Sequence, residues 1–425
     1  MSALAGRIAP CGPVVDAPAA ARVRETLRAT AADEGWTASL EIAWPALAPV
    51  FAASPYLAAL ARRAPGMLGR VLTADPDERM EALVADAAAC GAEADAAVVE
   101  RRLRLLKKEV HLVTALADLG GVWDLDAVTG ALSRFADAAV RAALELATNE
   151  ARTAGRIMGD GAAGAGPLPG LFIVAMGKHG AFELNYSSDI DLTVFHEPAA
   201  LPLADGVEAG PFATRLTDRV AAILQRRTSE GYVFRVDLRL RPDPSSTPAA
   251  VSVPAAFSYY ESVGQNWERA AFIKARVVAG DMARGDTFLA ALQPFVWRRN
   301  LDFAAIADIH AIKRQIHAHK GGEGLVAAGA DLKLGRGGIR EIEFYVQTQQ
   351  LILGGRHTDL RSPRTVEALA ALAAEGRIEP QAAGEMIDSY RKLRDLEHRC
   401  QMVADEQTHR LPAPDSERRP VAALA

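Results

Sequence analysis

The sequence predicts an α+β protein, mostly helical, in which one small sheet is flanked by helical bundles. Three observations carry this. The apolar run from Leu171 to Met176 is too short for a membrane span and the right length for a buried strand. Two stretches alternate with the period of a strand: Ile190, Leu192 and Val194 against Asp189, Asp191 and Thr193, then Val236, Leu238 and Leu240 against Arg235, Asp237, Arg239 and Arg241. On both sides of this region the chain is dense in Ala, Leu, Arg and Glu at helical spacing.

The chain has 425 residues, half of them apolar, enough for two or three domains with sizeable cores. A net charge of −5 and a pI near 6.0 argue against a protein that holds nucleic acid by bulk electrostatics. Cys11, Cys90 and Cys400 lie far apart in no metal-ligand spacing, as in a reducing compartment without a disulfide framework. The N-terminus has no continuous apolar core of a signal peptide, and no stretch of eighteen apolar residues occurs, so a cytoplasmic protein without a membrane partner is expected.

In chain order, residues 1 to 20, rich in Ala and Pro, are expected to form a poorly ordered entry. From Ala21 to about Ala154 several helices are predicted, interrupted at Pro55, Pro65 and Pro76. The basic run from Arg101 to Glu109 reads as a solvated helix face above an apolar stripe of Leu103, Leu106 and Val110. Residues 159 to 170, GDGAAGAGPLPG, form the clearest linker. Expected domains are 1–165, helical; 166–285, catalytic; and 286–425, helical.

After the strand at Leu171, Gly177, Lys178, His179 and Gly180 permit a tight reversal and close approach to a ligand. Ser187 and Ser188 precede the second strand. Residues two apart in a strand share a face, so Asp189 and Asp191 point the same way, and two adjacent anions are most simply reconciled by a hard divalent metal. Taken alone, the pair fits an exposed strand start equally well. The flanks favour the site: a buried strand, a glycine turn and a strand with paired acids is the layout of DNA polymerase beta-like nucleotidyltransferases. That resemblance implies a small mixed sheet and a third carboxylate on a neighbouring strand, which Asp237 supplies. The turn at Gly177 and Lys178, with Ser188, Arg239 and Arg241, then offers partners for phosphate oxygens.

A helix from Phe212 to Arg227 is expected to turn Leu216, Val220, Ile223 and Leu224 inward. A further helix from Pro254 to Gly264 follows, and Glu268, Lys274 and Arg276 fall near the domain edge. Helical periodicity returns at Phe288 to Trp297 and at 302 to 320, where the spacing of His310, His317 and His319 is wrong for zinc. Gly335, Gly337 and Gly338 form a turn before a helix starting near Ile339, a place where backbone N–H groups receive an anion, with Arg336 and Arg340 close by. Ile339, Ile342, Val346 and Leu353 make that helix's apolar stripe. Glu343 lies beside it, partly buried and paired, an arginine being the expected partner; a structural salt bridge and a substrate-orienting role weigh equally. Helices at Thr365 to Gly376 and Gln381 to about Asp405 follow, and the last residues show no compact finish.

At these residues the chain resembles the bifunctional glutamine synthetase adenylyltransferase/adenylyl-removing enzymes, which carry two similar nucleotidyltransferase halves. The adenylyl-removing half reads G-M-G-K-x-G, E-L-N-x-S-S-D-I-D-L, R-V-D-x-R-L-R-P, W-E-R-A-x-x-I-K-A-R and K-L-G-R-G-G-I-R-E-I-E-F, and each segment has its counterpart here between Gly177 and Phe344. Asn185, Tyr186, Ser187 and Ser188 side with that half. The resemblance implies that Asp189, Asp191 and Asp237 bind Mg2+, that inorganic phosphate attacks an adenylyl-tyrosine of glutamine synthetase to release ADP, and that the PII signal protein regulates the process. His179 departs from the usual leucine. Only one half is present, as expected of a fragment. Alternatives are addition of AMP from ATP, and a non-catalytic binding module, which the intact acids disfavour; an RNA-extending enzyme is disfavoured by the acidic charge and the lack of a basic aromatic module.

Overall fold

The computed structural model describes residues 2–93, 95–158, 168–299 and 327–425. Most of the expected linker at 159–170, and the helix at 302–320 with its three histidines, lie outside the described residues. The three prolines read as interruptions are helix starts. Pro55–Arg63, Pro65–Thr73 and Pro76–Ala89 each begin on the proline, where a missing N–H leaves no hydrogen bond unmade. Ser54 Oγ accepts from Leu57 N at 3.0 Å and Asp75 Oδ1 from Asp77 N at 3.0 Å, capping two of them. Helices Ala17–Asp33 and Thr37–Ala53 precede these, and the long helices Ala96–Leu119 and Leu125–Thr153 follow.

Both chain ends join this bundle, contrary to expectation. Leu4 and Ala5 are buried, and Leu4 N donates to Ala74 O at 2.8 Å. At the other end, helix Asp415–Leu424 buries Val421, Ala423 and Leu424, so enough apolar surface leaves water to order both segments. The basic run is corrected too. Leu103, Leu106 and Val110 are buried as expected, but Arg104 is fully buried and donates to Glu100 O, Ile223 O, Arg226 O and Gly231 O. It serves the carbonyls left unpaired where helix Ala209–Gln225 ends. Lys107 lies 3.7 Å from the Phe234 ring centroid, so this face is covered by protein and not by solvent. Leu216, Val220, Ile223 and Leu224 are buried in helix Ala209–Gln225, as their spacing predicts.

The sheet comprises β1 (Leu171–Ala175), β2 (Asp189–His196), β3 (Arg235–Asp237), β4 (Ala250–Ser252) and β5 (Arg276–Gly280). Their order is β3-β2-β1-β5, with β4 also on β2. β1 runs antiparallel to β2 and β5, whereas β3 and β4 run parallel to β2, so the sheet is mixed. Every residue of β1 is buried because both faces are covered. Leu171, Ile173 and Ala175 join Ile190, Leu192 and Val194 in the core shared with the helical bundle. Phe172 and Val174 join Phe195 and Phe288 in a second core on the other face, Phe288 coming from helix Met282–Ala291. The bundle core also contains Met402 and Leu424, so stretches far apart in sequence share one interior.

Only three residues of the expected strand from Gly231 to Pro242 are extended in the sheet. Beyond Asp237 the chain loops, held by Arg241, whose guanidinium donates to Leu238 O at 2.8 Å, Pro244 O at 2.9 Å and Thr247 O at 3.1 Å. Helix Ile339–Leu353 buries Ile339, Ile342 and Val346 against Ala368 and Leu369 of helix Thr365–Ala374 and Tyr390 of helix Pro380–Ala404. Leu351, rather than the expected Leu353, ends its buried face. No single described helix is long and apolar enough to cross a membrane.

Candidate active site

Asp189 and Asp191 open β2 on the face opposite Ile190 and Leu192, which are buried and fix the strand's orientation. β3 lies parallel alongside, pairing Asp189 with Arg235 and Asp191 with Asp237, so the third acid stands beside the second. Gly177 is required here on two counts. Its φ is +54°, and a Cβ would fall 2.6 Å from Asp191 Oδ2. Burial pushes the Asp191 carboxyl up to about 7, and the neighbouring charges of Asp189 and Asp237 push the same way. Burial also acts to raise Asp237, but hydrogen bonds from Arg239, N at 2.8 Å and Nε at 3.0 and 2.9 Å, outweigh it and hold this carboxyl below its ordinary range.

This donor set suits a hard divalent ion in type and placement. It consists of carboxylate oxygens crowded enough to disfavour one another's charge, an arrangement that a cation stabilises. Among the described residues no three such side chains converge into a closed cage, because Asp237 faces Arg239. A magnesium-like ion takes one or two carboxylates and leaves its remaining positions to water and phosphate. Asp189 and Asp191 fit that partial set, and Asp237 stands in register beside Asp191 in the grip of Arg239.

The acids face a cleft of about 290 Å³, whose other wall is helix Ile339–Leu353 together with Trp267, Ala270, Ala271 and Lys333. Beneath it lies a balanced cluster of three carboxylates and three cations. Lys274 Nζ is 2.7 Å from Glu183 Oε2 and 3.5 Å from Glu343 Oε1, Lys178 Nζ is 3.2 Å from Glu397 Oε2, and Arg394 Nε is 3.7 Å from the same oxygen. Burial opposes the charge on Glu343, yet Lys274 foremost holds it far below the usual carboxylate range. Burial likewise opposes the charge on Lys274, and Glu183 and Glu343 overcome it, raising its pKa. For Lys178 burial prevails over Glu397 and brings the ammonium down to about 8.

Of the residues singled out from sequence, Gly177, Lys178, Ser188, Asp189, Asp191, Arg340 and Glu343 line this cleft. Asp237 adjoins it on β3. Arg239 is exposed and grips Asp237; Arg241 holds its own loop together and Arg336 is exposed outside the cleft. The partner of Glu343 is Lys274, a lysine and not an arginine, and Lys274 also lines the cleft, between Glu183 on one side and Glu343 and Thr365 on the other. The N–H groups of the three glycines in the turn and of the first helix residues are already engaged. Gly338 N donates to Gly335 O, Ile339 N to Leu332 O, Arg340 N to Lys333 O and Gly337 N to Glu341 Oε2. His179 is structural: its Nε2 lies 2.8 Å from Asp137 Oδ1, and the same carboxylate takes Arg276 at 2.7 and 3.0 Å.

Sequence reasoning missed Lys333, although it lies within the K-L-G-R-G-G segment, and Trp267 and Gln347 on the apolar and polar walls. It also missed how helix Pro380–Ala404 positions the acids. Arg394 donates to Glu183 O at 2.6 Å and to Asn185 Oδ1 at 2.7 and 3.0 Å. Ser187 N donates to Gln401 Oε1 at 2.8 Å and Ser187 Oγ to Asp405 Oδ1 at 2.8 Å. The loop that leads into Asp189 is thus clamped along one helix. Nothing in that helix's periodicity signals it.

Residues 44–291 match the family model described as Glutamate-ammonia ligase adenylyltransferase, and residues 310–425 match that of the GlnD PII-uridylyltransferase. A Caulobacter vibrioides protein named bifunctional glutamine synthetase adenylyltransferase/adenylyl-removing enzyme is 61% identical over 424 residues, covering 100% of this chain and 43% of the relative. Proteins of the same name from Xanthobacter autotrophicus and Bradyrhizobium diazoefficiens are 55% and 52% identical, each over 84% of this chain and 36% of the relative. The chain spans less than half the length of these curated relatives. With more than half of its residues matched by one family model, the chain belongs to the glutamate-ammonia ligase adenylyltransferase family, a family of nucleotidyltransferase enzymes.

Proposed function

We propose that this chain removes AMP from adenylylated glutamine synthetase by magnesium-dependent phosphorolysis, on a sheet of the DNA polymerase beta-like kind. The observation that carries the reading is the pair Asp189 and Asp191, with Asp237 in register beside them, facing a cleft whose far wall bears Lys333 and Arg340. Glutamine synthetase as substrate follows the printed names of the relatives, and PII as regulator follows the sequence resemblance. Asn185, Ser187 and Ser188, which carry the likeness to the adenylyl-removing half, form the clamped loop before the acids, which supports that direction.

Mg2+ held by Asp189 and Asp191, joined by Asp237, would supply charge neutralisation at the transferring phosphoryl group. An oxygen of inorganic phosphate forms a bond to the α-phosphorus of the adenylyl group as the bond from phosphorus to the tyrosyl oxygen breaks. The electron pair leaves with that oxygen, which takes the proton of the attacking hydrogen phosphate, so the products are tyrosine and ADP. The chain's own part is placement: the Ser187 clamp fixes the acids, and Gly177 leaves room for Asp191.

Transfer of AMP from ATP to glutamine synthetase is the second reading, favoured by the adenylyltransferase description of the matching family. One experiment separates them. The purified chain is incubated with adenylylated glutamine synthetase, magnesium and phosphate, and in parallel with unmodified glutamine synthetase and radiolabelled ATP. Phosphate-dependent ADP release is expected; label incorporation without ADP release establishes the second reading instead.

A further inference from the structure

We infer that Lys333 and Arg340 together form the subsite for the attacking phosphate, the group that becomes the β-phosphate of ADP; this rests on the phosphorolysis reading above. The assignment comes from accounting for the cations around the cleft among the described residues. Lys178 is committed to Glu397, and Lys274 lies between Glu183 and Glu343 with only 5% of its surface exposed. Arg239 grips Asp237 and Arg241 is engaged with three loop carbonyls. Arg336 stays outside. Lys333 and Arg340 both line the cleft, and neither has a carboxylate in ion-pair range among the described residues.

Their placement is built into the backbone. Arg340 N donates to Lys333 O at 2.9 Å, and Asp331 Oδ1 accepts from Lys333 N at 3.2 Å and Leu334 N at 2.6 Å, so one hydrogen-bonded turn carries both side chains. Because the N–H groups of Gly335, Gly337, Gly338, Ile339 and Arg340 are already taken by oxygens of this segment, an anion here is held mainly by side chains. Arginine offers a planar fork to two phosphate oxygens and lysine a compact charge. Lys333 and Arg340 line the same cleft as Asp189 and Asp191, so a phosphate held by the two cations would lie within reach of an adenylyl group held at the acids. A phosphate there is present in ADP and in inorganic phosphate, and absent from AMP.

The test is equilibrium binding of ADP, AMP and inorganic phosphate to the full chain with magnesium, for the native protein and for Lys333→Ala, Arg340→Ala and Lys333→Arg. The native chain should bind ADP more tightly than AMP, with inorganic phosphate competing against ADP and not against AMP. Each alanine variant should lose about ten- to a hundredfold in ADP affinity, the worth of a charge-assisted hydrogen bond, while AMP affinity holds and Lys333→Arg recovers most of the loss. In turnover the KM for phosphate should rise without a matching rise in the KM for adenylylated glutamine synthetase. Equal loss of ADP and AMP affinity, an unchanged preference for ADP, or loss of that preference in Arg336→Ala alone would overturn the assignment. Binding needs no turnover, so a chain that shows the expected ADP preference but releases no ADP from adenylylated glutamine synthetase would refute phosphorolysis and leave the subsite standing.

Discussion

Replacing Lys274 with methionine probes the buried charge that supports the cleft. Lys274, Glu183 and Glu343 are each no more than 5% exposed, and the ammonium is the cation shared by both carboxylates, at 2.7 and 3.5 Å. Methionine replaces the aliphatic stem and leaves the carboxylates unpaired. Breaking a buried pair from one side costs about 3–5 kcal/mol. Glu183 keeps Thr365 N at 2.8 Å, so the lower end of that range is expected, a large share of a typical stability of about 5–15 kcal/mol. The pH dependence changes sign. In the native protein Glu343 is depressed, so its contribution is present above the unfolded value and lost as pH falls through the folded one; Lys274 is raised, so its contribution is present below its unfolded value and lost as pH rises through the folded one. Without the lysine, burial pushes the carboxyls up, and the deficit shrinks as pH falls from about 7 towards about 5. Urea denaturation followed by far-ultraviolet circular dichroism at both pH values measures this, with Lys274→Met/Glu343→Gln expected to recover part of the loss. A deficit below about 1 kcal/mol, or one equal at both pH values, would refute the account of this cluster.

Three other substitutions test the remaining parts of the site. Asp191→Asn should lower turnover by at least about a hundredfold, since even outer partners of metal ligands are worth 10–100-fold, while its thermal midpoint stays level or rises because a disfavoured charge is removed; near-native turnover at saturating magnesium would remove Asp191 from the site. Gly177→Ala should destabilise by about 1–2 kcal/mol through its positive φ and displace the Asp191 carboxylate as well, so unchanged stability and turnover together would show that the approach is slack. Arg394→Lys keeps the charge but not the fork that holds Asn185 and Glu183, so amide hydrogen exchange over residues 183–188 should accelerate more than tenfold, read by mass spectrometry; protection equal to the native chain would mean the clamp lies elsewhere.

How much of this was legible in the sequence depends on whether a feature is periodic or relational. Strand alternation places Asp189 and Asp191 on one face, the nucleotidyltransferase resemblance implies the third carboxylate that Asp237 supplies, and the ladder pairs Asp191 with Asp237 directly. The same alternation extended the strand too far. Leu238 and Leu240 keep the pattern, yet Arg241 folds the chain back through carbonyls that no alternation encodes. In the basic run Leu103, Leu106 and Val110 are buried as their spacing predicts, but periodicity says which face is polar and not what covers it, so it does not reveal that Arg104 and Lys107 are buried. At Gly335, Gly337 and Gly338 composition marks a turn of unusual freedom, and composition does not encode that the three glycine N–H groups are taken by neighbouring oxygens.

The same distinction explains why the far end of the chain matters to chemistry at Asp189. A strand face carrying two or three carboxylates is unfavourable by itself, and its neighbours must fix it without neutralising it. Helix Pro380–Ala404 and the residue that caps it do this through hydrogen bonds to the loop and not through cations set against the acids. Gln401 and Asp405 hold Ser187, while Arg394, set against Glu397, holds Asn185 and the carbonyl of Glu183. Because Glu397 also engages Lys178, the clamp and the cluster under the cleft share a residue. Three cations and three carboxylates there cancel, so among the described residues the charge left facing the cleft is the acids on β2 and the two cations on the opposite wall. A cleft with that residual charge would, on the proposed reading, separate a metal side from a phosphate side, the division of labour an in-line nucleotidyl transfer requires.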